Sequence, residues 1–177
     1  NKSHVDDFYW VNPSRIIFTE KQKAGLLNEP KRLYSIYAVN ADGSNNKLLT
    51  YGKLLDTLAN EADWVLIEKA DAIKRLNVYD GKLEVTKYKS PATSGRFITD
   101  NTGDVRFFRG RLARELYERF YLRELDSNKW QLLNEEKKSG QVFDVLGFST
   151  DNHSAYISIS DNAGPSAVYL FDMATGQ

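Results

Sequence analysis

The chain has 177 residues, 41% of them hydrophobic, which is enough for one domain with a core but too few for two domains to be expected. Its 24 basic and 24 acidic residues cancel and form no block of one sign, so neither a nucleic acid nor a membrane surface is expected as a partner. The absence of cysteine excludes disulfides, thiolate metal sites and a cysteine nucleophile, and it suits an extracytoplasmic protein without deciding the compartment. The sequence contains no run of 18 apolar residues, so no membrane-spanning helix is predicted.

Four strand-like segments each lead into a turn rich in Asp, Asn and Gly, the residues that adopt positive φ at small cost. The segments are 33–39, 73–79, 120–125 and 167–171, and the turns contain Asp42, Asp80, Asp126 and Asp172. These aspartates are spaced by 38, 46 and 46 residues. Such a spacing is typical of one four-stranded β-propeller blade, for which about 40–50 residues are expected.

A second hairpin precedes each of these turns. It pairs 8–11 with 15–18 in the first unit, 96–99 with 105–108 in the third and 143–148 with 155–160 in the fourth, and more weakly 54–58 with 64–67 in the second. Two hairpins per unit predict an all-β chain that forms a partial β-propeller of about four blades of antiparallel strands. The predicted units are approximately 7–50, 54–88, 96–134 and 142–177. The strands around positions 66, 107 and 157 are nearly all apolar, so we expect them to be covered on both faces.

Two segments allow a second interpretation. Gly110 to Leu122 has apolar residues at helical spacing with Arg and Glu between them, as in an amphipathic helix. Alignment with the other units favours a loop followed by an outer strand instead. Lys53 to Ala62 could likewise form a short helical turn.

The fourth unit is expected to be incomplete. In the other three, a closing strand follows the turn at 47–50, 82–87 and 129–133, whereas the sequence stops at Gln177 within the fourth turn. Because an unpaired strand exposes backbone groups, we expect a fragment of a larger propeller. We also expect this fragment to self-associate through bare sheet faces that carry Phe143, Val145, Tyr156 and Ile157, or Tyr9 and Ile17.

Patterns typical of catalysis do not occur in this sequence, and no catalytic residue, metal ligand or cofactor site is predicted. There is no Gly-x-Ser-x-Gly, no glycine-rich phosphate loop and no His-x₃-His. Of the two histidines, His4 is expected to be disordered beside the terminus and His153 to be a solvated turn residue. The carboxylates of Asp6 and Asp7 are expected to point apart on a strand. The three tryptophans are expected to fill the space between blades rather than to stack on a ligand.

One set of polar residues is a candidate functional site. Asp100, Gly103 and Arg106 are spaced Asp-x-x-Gly-x-x-Arg around a predicted tight turn. The arginine follows the turn at the tip of a strand, where it could face a propeller channel or a partner domain. The alternative is a turn followed by a surface arginine. Asp100 and Arg106 are therefore the candidate partner or channel contacts.

The order of these segments resembles the N-terminal propeller of the prolyl oligopeptidase family of serine peptidases, in particular its bacterial dipeptidyl- and acylaminoacyl-peptidase-like members. The matching stretches are 8–18, 33–49, 55–58 with 63–67, 99–106, and 167–172 with 175–176. They cover nearly the whole chain. Each stretch alone is common to many propellers, so the resemblance depends on their order.

This resemblance implies a parent protein with a C-terminal α/β-hydrolase domain that carries the catalytic triad. No position of this chain matches a triad residue. The propeller would cap the active site and admit short peptide substrates without breaking bonds itself. The alternative is a stand-alone propeller scaffold that binds protein partners, since several propeller families share these turns and a fold alone does not assign a function.

Overall fold

A computed structural model describes residues 4–21, 34–70, 72–125, 127–161 and 164–176. These residues form fifteen β-strands and one single-turn helix, so the predicted all-β class is confirmed. The strands form four antiparallel sheets that follow one another along the chain, as the blades of a β-propeller do. Within the described ranges, no helix has the length and apolarity to cross a membrane.

The first compact unit runs to Lys87 and contains two sheets. Sheet 1 consists of four strands hydrogen-bonded in chain order: β1 (His4–Asn12), β2 (Arg15–Lys21), β3 (Tyr34–Asn40) and β4 (Lys47–Tyr51). Sheet 2 has the same order with β5 (Lys53–Asp56), β6 (Trp64–Lys69), β7 (Ala72–Asn77) and β8 (Leu83–Val85).

The second compact unit begins at Tyr88 and also contains two sheets. Sheet 3 consists of β9 (Ser94–Thr99), β10 (Val105–Arg111), β11 (Arg119–Arg123) and β12 (Trp130–Glu135). The helix α1 (Glu136–Ser139) connects it to sheet 4, which in the described residues has three strands: β13 (Gln141–Phe148), β14 (Ser154–Asp161) and β15 (Ala167–Asp172).

The predicted turns form where the sequence places Asp or Asn before Gly. Gly43 after β3 and Gly81 after β7 have φ of 85° and 83°, a region that glycine enters without strain. β3 then pairs with β4 as predicted, with Ile36 opposite Thr50. Three residues named in the sequence-based prediction, Leu33, Asp126 and Gln177, lie outside the described residues.

The segment with helical spacing is a loop followed by a strand. Residues 112–118 connect β10 to β11, which begins at Arg119. Leu116 in the loop is 83% exposed, whereas Phe120 and Leu122 in the strand are buried. A helix is stabilised mainly by packing of its apolar face, so burial of these two side chains within a sheet outweighs the local helical pattern. The other ambiguous segment begins with strand β5 and not with a helical turn.

Each unit buries one face of each of its two sheets in a shared apolar core. In the second unit Phe107 is fully buried, and its ring stacks on Phe120 of the same sheet at 5.1 Å between centroids. The Phe107 ring also lies 5.9 Å from Phe148 and 6.1 Å from Phe171, both of sheet 4. The core of the first unit consists of residues from sheets 1 and 2, Ile17, Ile36, Val65, Ile67 and Leu76, together with Val78, which directly follows β7.

Sheet 4 has one open face, which corrects two expectations. The strand around position 157 was expected to be covered on both faces, yet Tyr156 is 45% exposed. Ile157 and Ile17, which were expected on bare faces, are instead buried in the two cores. Successive residues of a strand point to opposite faces, so Ile157 enters the core while Tyr156 faces outward. Phe143 and Val145 also pack against the core, and Tyr9 is exposed.

The open face of sheet 4 carries the exposed apolar side chains of Tyr156, Val168 and Leu170, with Ser158 between them, and the exposed Leu146 lies in the bulge of β13. Self-association through this face stays a prediction.

We predict that Phe107→Ala lowers the free energy of unfolding of the second unit by about 3–5 kcal/mol, because the cavity would open at the centre of the aromatic core. Urea unfolding followed through the fluorescence of Trp130 in sheet 3 measures this loss. Leu170→Ala is the control, since Leu170 belongs to the same unit but is 63% exposed, and it should cost about 1 kcal/mol or less. Equal losses for the two variants would contradict the assignment of the core.

Candidate functional site

Asp100 and Arg106 lie on either side of the β9–β10 turn, and both side chains are buried. One carboxylate oxygen of Asp100 accepts hydrogen bonds from the Thr102 backbone N–H at 2.9 Å, the Thr102 hydroxyl at 2.7 Å and the Asp104 backbone N–H at 3.1 Å. Its other oxygen lies 3.7 Å from Nη1 of Arg106. Asp100 therefore fixes the turn and is the counter-ion of Arg106.

Arg106 is held in an unusual position by an irregularity in the sheet. The pairing of β9 with β10 shifts between Val105 and Phe107, so Arg106 is the extra residue of a bulge. Its Nε is buried and has no hydrogen-bond partner among the described residues. Burial lowers the pKa of its guanidinium, and the neighbouring Asp100 carboxylate opposes that shift. The structure thus brings the two predicted residues together, while their contact with a channel or a partner stays a prediction.

A second buried arginine, Arg123 of β11, lies close to this pair. Its guanidinium donates to the backbone carbonyls of Val105 at 2.5 Å and Ser127 at 2.7 Å, and it lies 5.1 Å from the centre of the Tyr88 ring. The Tyr88 hydroxyl donates to Asp104 at 2.8 Å. Burial, and then this hydrogen bond to a carboxylate, raise the pKa of Tyr88 to about 12. Arg123 holds the ends of β10 and β11 together, because it donates to backbone carbonyls there, including that of Glu124.

Arg15 has the corresponding role in the first unit. Sequence analysis predicted the role of neither arginine. Its guanidinium donates to the Val78 carbonyl at 2.9 and 3.1 Å and to the Asn40 side chain at 2.8 Å. It therefore connects sheet 1 to the chain that follows β7 of sheet 2. A signal for both arginines was present, because each lies in a strand among apolar neighbours, where a buried cation needs carbonyl or carboxylate partners.

Four charged residues surround an open cavity of about 320 Å³ in the second unit. Arg96 of β9 and Arg109 of β10 both bind Asp144 of β13, Arg109 through Nη1 at 3.1 Å. Arg109 also binds Glu118 through its Nε. Gly95 completes the wall. Sequence analysis did not find this cluster, because its members are up to 48 residues apart and come together only when sheet 4 packs on sheet 3.

A second polar cavity, of about 150 Å³, lies in the first unit. Asp6 and Asp7 both line it, together with Tyr9, Tyr34 and Lys53. The pairing of β1 with β2 shifts between Val5 and Asp7, so a bulge interrupts the alternation of side chains on which the expectation that these carboxylates point apart depends. Burial, followed by the charge of Asp7, raises the pKa of Tyr9.

The remaining candidates divide into solvated and packed residues. His153 is 78% exposed and lies 3.1 Å from Asp151 in its turn, as predicted. His4 is not disordered but begins β1, opposite Lys21. Trp130 packs against Phe97 and Phe108 in sheet 3.

The other two tryptophans are less enclosed than expected. Trp64 is half-buried and covered by Arg75, whose guanidinium carbon lies 4.7 Å from the ring. Trp10 is 54% exposed, so it does not fill a space between blades in this chain. The described residues contain no group of three or more His, Asp or Glu side chains arranged to hold a metal ion.

No protein-family model and no curated protein matches the chain. Solved structures do match it. A structure titled oligogalacturonate lyase in complex with manganese is similar over 93% of this chain and 49% of its own, with a TM-score of 0.57 and 11% identity. TolB from Acinetobacter baumannii is similar over 93% of this chain and 40% of its own, with a TM-score of 0.51 and 16% identity.

At such low identities the likeness shows the fold alone, which is that of a β-propeller. The chain spans half or less of the length of these two structures.

We predict that Tyr88 makes stability depend on pH between about 10 and 12. An unfolded tyrosine titrates near 10, whereas the folded protein holds this proton to about 12. As the pH rises through this window the unfolded state loses the proton first, so the stability that Tyr88 contributes below pH 10 is lost. The stability difference between the wild type and Tyr88→Phe should therefore shrink from pH 9 to pH 12 in urea unfolding. Parallel pH profiles for the two proteins would contradict the burial of this hydroxyl.

Proposed function

We propose that this chain is the non-catalytic propeller domain of a serine peptidase of the prolyl oligopeptidase type. In this proposal the propeller controls the access of short peptides to an α/β-hydrolase domain, which supplies the catalytic triad. The chain itself breaks no bond and needs no cofactor or metal. Its partners are then the hydrolase domain and the peptides that pass the propeller.

One observation carries this proposal: the stretches that resemble the family fall, in order, on strands and turns of all four successive sheets. Residues 8–18 lie on the β1–β2 hairpin, and residues 99–106 lie on the β9–β10 turn. The stretch at 63–67 continues into β6, the second strand of sheet 2, and the stretch at 167–172 forms β15, the third strand of sheet 4. The β-propeller likeness of the solved structures supports the same fold.

A second candidate function is a propeller scaffold that binds protein partners. The observation that favours it is the likeness to TolB and to an oligogalacturonate lyase, because it places the β-propeller fold in proteins of different functions. This candidate requires no hydrolase domain.

The two candidate functions predict different properties for the protein encoded by the complete reading frame. We expect that product to contain Gly-x-Ser-x-Gly, to be labelled by a fluorophosphonate probe and to hydrolyse chromogenic dipeptide or acyl-amino-acid substrates. The 177-residue chain, assayed alongside as the control, should not be labelled, because no serine in it has the sequence context of a nucleophile elbow. A complete product without the motif and without labelling would overturn the peptidase proposal and leave the scaffold. Labelling of the 177-residue chain would overturn both.

A further inference from the structure

The charged cavity of the second unit has features beyond those of a surface ion-pair network. It is lined by Gly95, Arg96, Arg109, Glu118 and Asp144. It is open and measures about 320 Å³, within the size range of small-ligand sites. Arg96, Arg109 and Asp144 lie on strands of two sheets that pack on a common core, and Glu118 is the loop residue that directly precedes β11. Three of its four charged side chains, Arg96, Glu118 and Asp144, are between 32% and 45% exposed.

Arg96 is the side chain of the cavity that keeps the most unused hydrogen-bond donors. A guanidinium carries five N–H donors in a planar fork. Arg109 uses Nε for Glu118 and Nη1 for Asp144. Arg96 uses only Nη2 in the described residues, and it shares Asp144 with Arg109. Each oxygen of Asp144 thus already accepts from one arginine, while Arg96 keeps further N–H groups on a side chain that is 45% exposed.

The position of Arg96 favours an anion of matching shape. Asp144 and Glu118 neutralise the buried Arg109, whose side chain is 22% exposed, and they hold its guanidinium in place. Arg96 is then the group that a ligand can reach, next to a second fixed guanidinium. Planar, bidentate hydrogen bonding of arginine matches a carboxylate better than it matches a neutral carbonyl.

We propose that this cavity binds the carboxylate of a short peptide, with Arg96 as the residue that contacts it and Asp144 as the residue that positions Arg96. The peptide as ligand class rests on the proposed function, whereas the carboxylate as the bound group rests on the cavity alone. The carboxylate belongs either to a peptide C-terminus or to an acidic side chain. In both cases the cavity selects peptides by a carboxylate group, which goes beyond control of access by size.

The test is calorimetric titration of the 177-residue chain with three peptides that differ only in their carboxylates. These are N-acetyl-trialanine as the free acid, the same peptide as the C-terminal amide, and N-acetyl-Ala-Glu-Ala amide. We expect the free acid to bind at least about tenfold more tightly than the amide. Binding of the Glu peptide would extend the site to acidic side chains, and its failure to bind would restrict the site to the C-terminus. Equal affinity for all three peptides, or no binding, would overturn the inference.

Variants locate the binding on Arg96. Arg96→Gln should weaken the binding of the free acid by about tenfold or more. Arg96→Lys should have an intermediate effect, because lysine keeps the charge but lacks the planar pair of N–H donors. Arg75→Gln is the matched control, since Arg75 is similarly exposed at 33% and ion-paired with Glu61 and Glu84 in the other unit. Near-UV circular dichroism checks that each variant is folded. An unchanged affinity in folded Arg96→Gln would overturn the assignment.

The outcomes separate this inference from the peptidase proposal. If the complete gene product is labelled by the fluorophosphonate probe but the chain binds no peptide acid, the carboxylate site is wrong and the peptidase proposal stands. If the chain binds the peptide acid through Arg96 but the complete product is not labelled, the site stands and the peptidase proposal is wrong.

Discussion

Each sheet of this protein can bury an apolar face only against its neighbour in the chain, and this constraint determines most of the structure. An isolated antiparallel sheet of three or four strands leaves its apolar face in water. In the second unit, sheets 3 and 4 remove that cost together, with the Phe107 ring in contact with Phe120, Phe148 and Phe171. The charged cavity depends on the same packing, because Asp144 meets Arg96 and Arg109 only when the two sheets are in place.

Polar groups at the strand ends complete this packing. Bringing two sheets together buries backbone carbonyls near the turns, and a carbonyl left without a partner costs free energy. Arg123 and Arg15 supply donors to such carbonyls, and both are almost fully buried. Asp100 instead satisfies the N–H groups of its own turn. The predicted pair of Asp100 and Arg106 thus has a structural role in the β9–β10 turn. Contact with a partner would be an additional role.

The fold could be predicted from the sequence to a large extent, because it depends on local signals. Asp and Gly in the turns and alternation in the strands are visible without coordinates, and they predicted the pairing of β3 with β4. The charged cavity could not be predicted, since Arg96 and Asp144 are 48 residues apart in the chain. The bulges were not predicted either. One of them lies at Asp6, where Asp6 and Asp7 line the same cavity. What the sequence did not reveal therefore depends on contacts between sheets and on irregularities of register.

A double-mutant cycle between Phe107 and Phe148 tests most directly that successive sheets are stabilised by burying their faces against each other. The rings belong to different sheets and their centroids are 5.9 Å apart. Replacing each with Leu, singly and together, should give a coupling energy of about 0.5–1.5 kcal/mol in urea unfolding. Phe107→Leu combined with Ile17→Val of the other core is the control pair, and its effects should add. Additive effects for Phe107 and Phe148 would contradict the account, because the two rings would then not stabilise each other across the sheets.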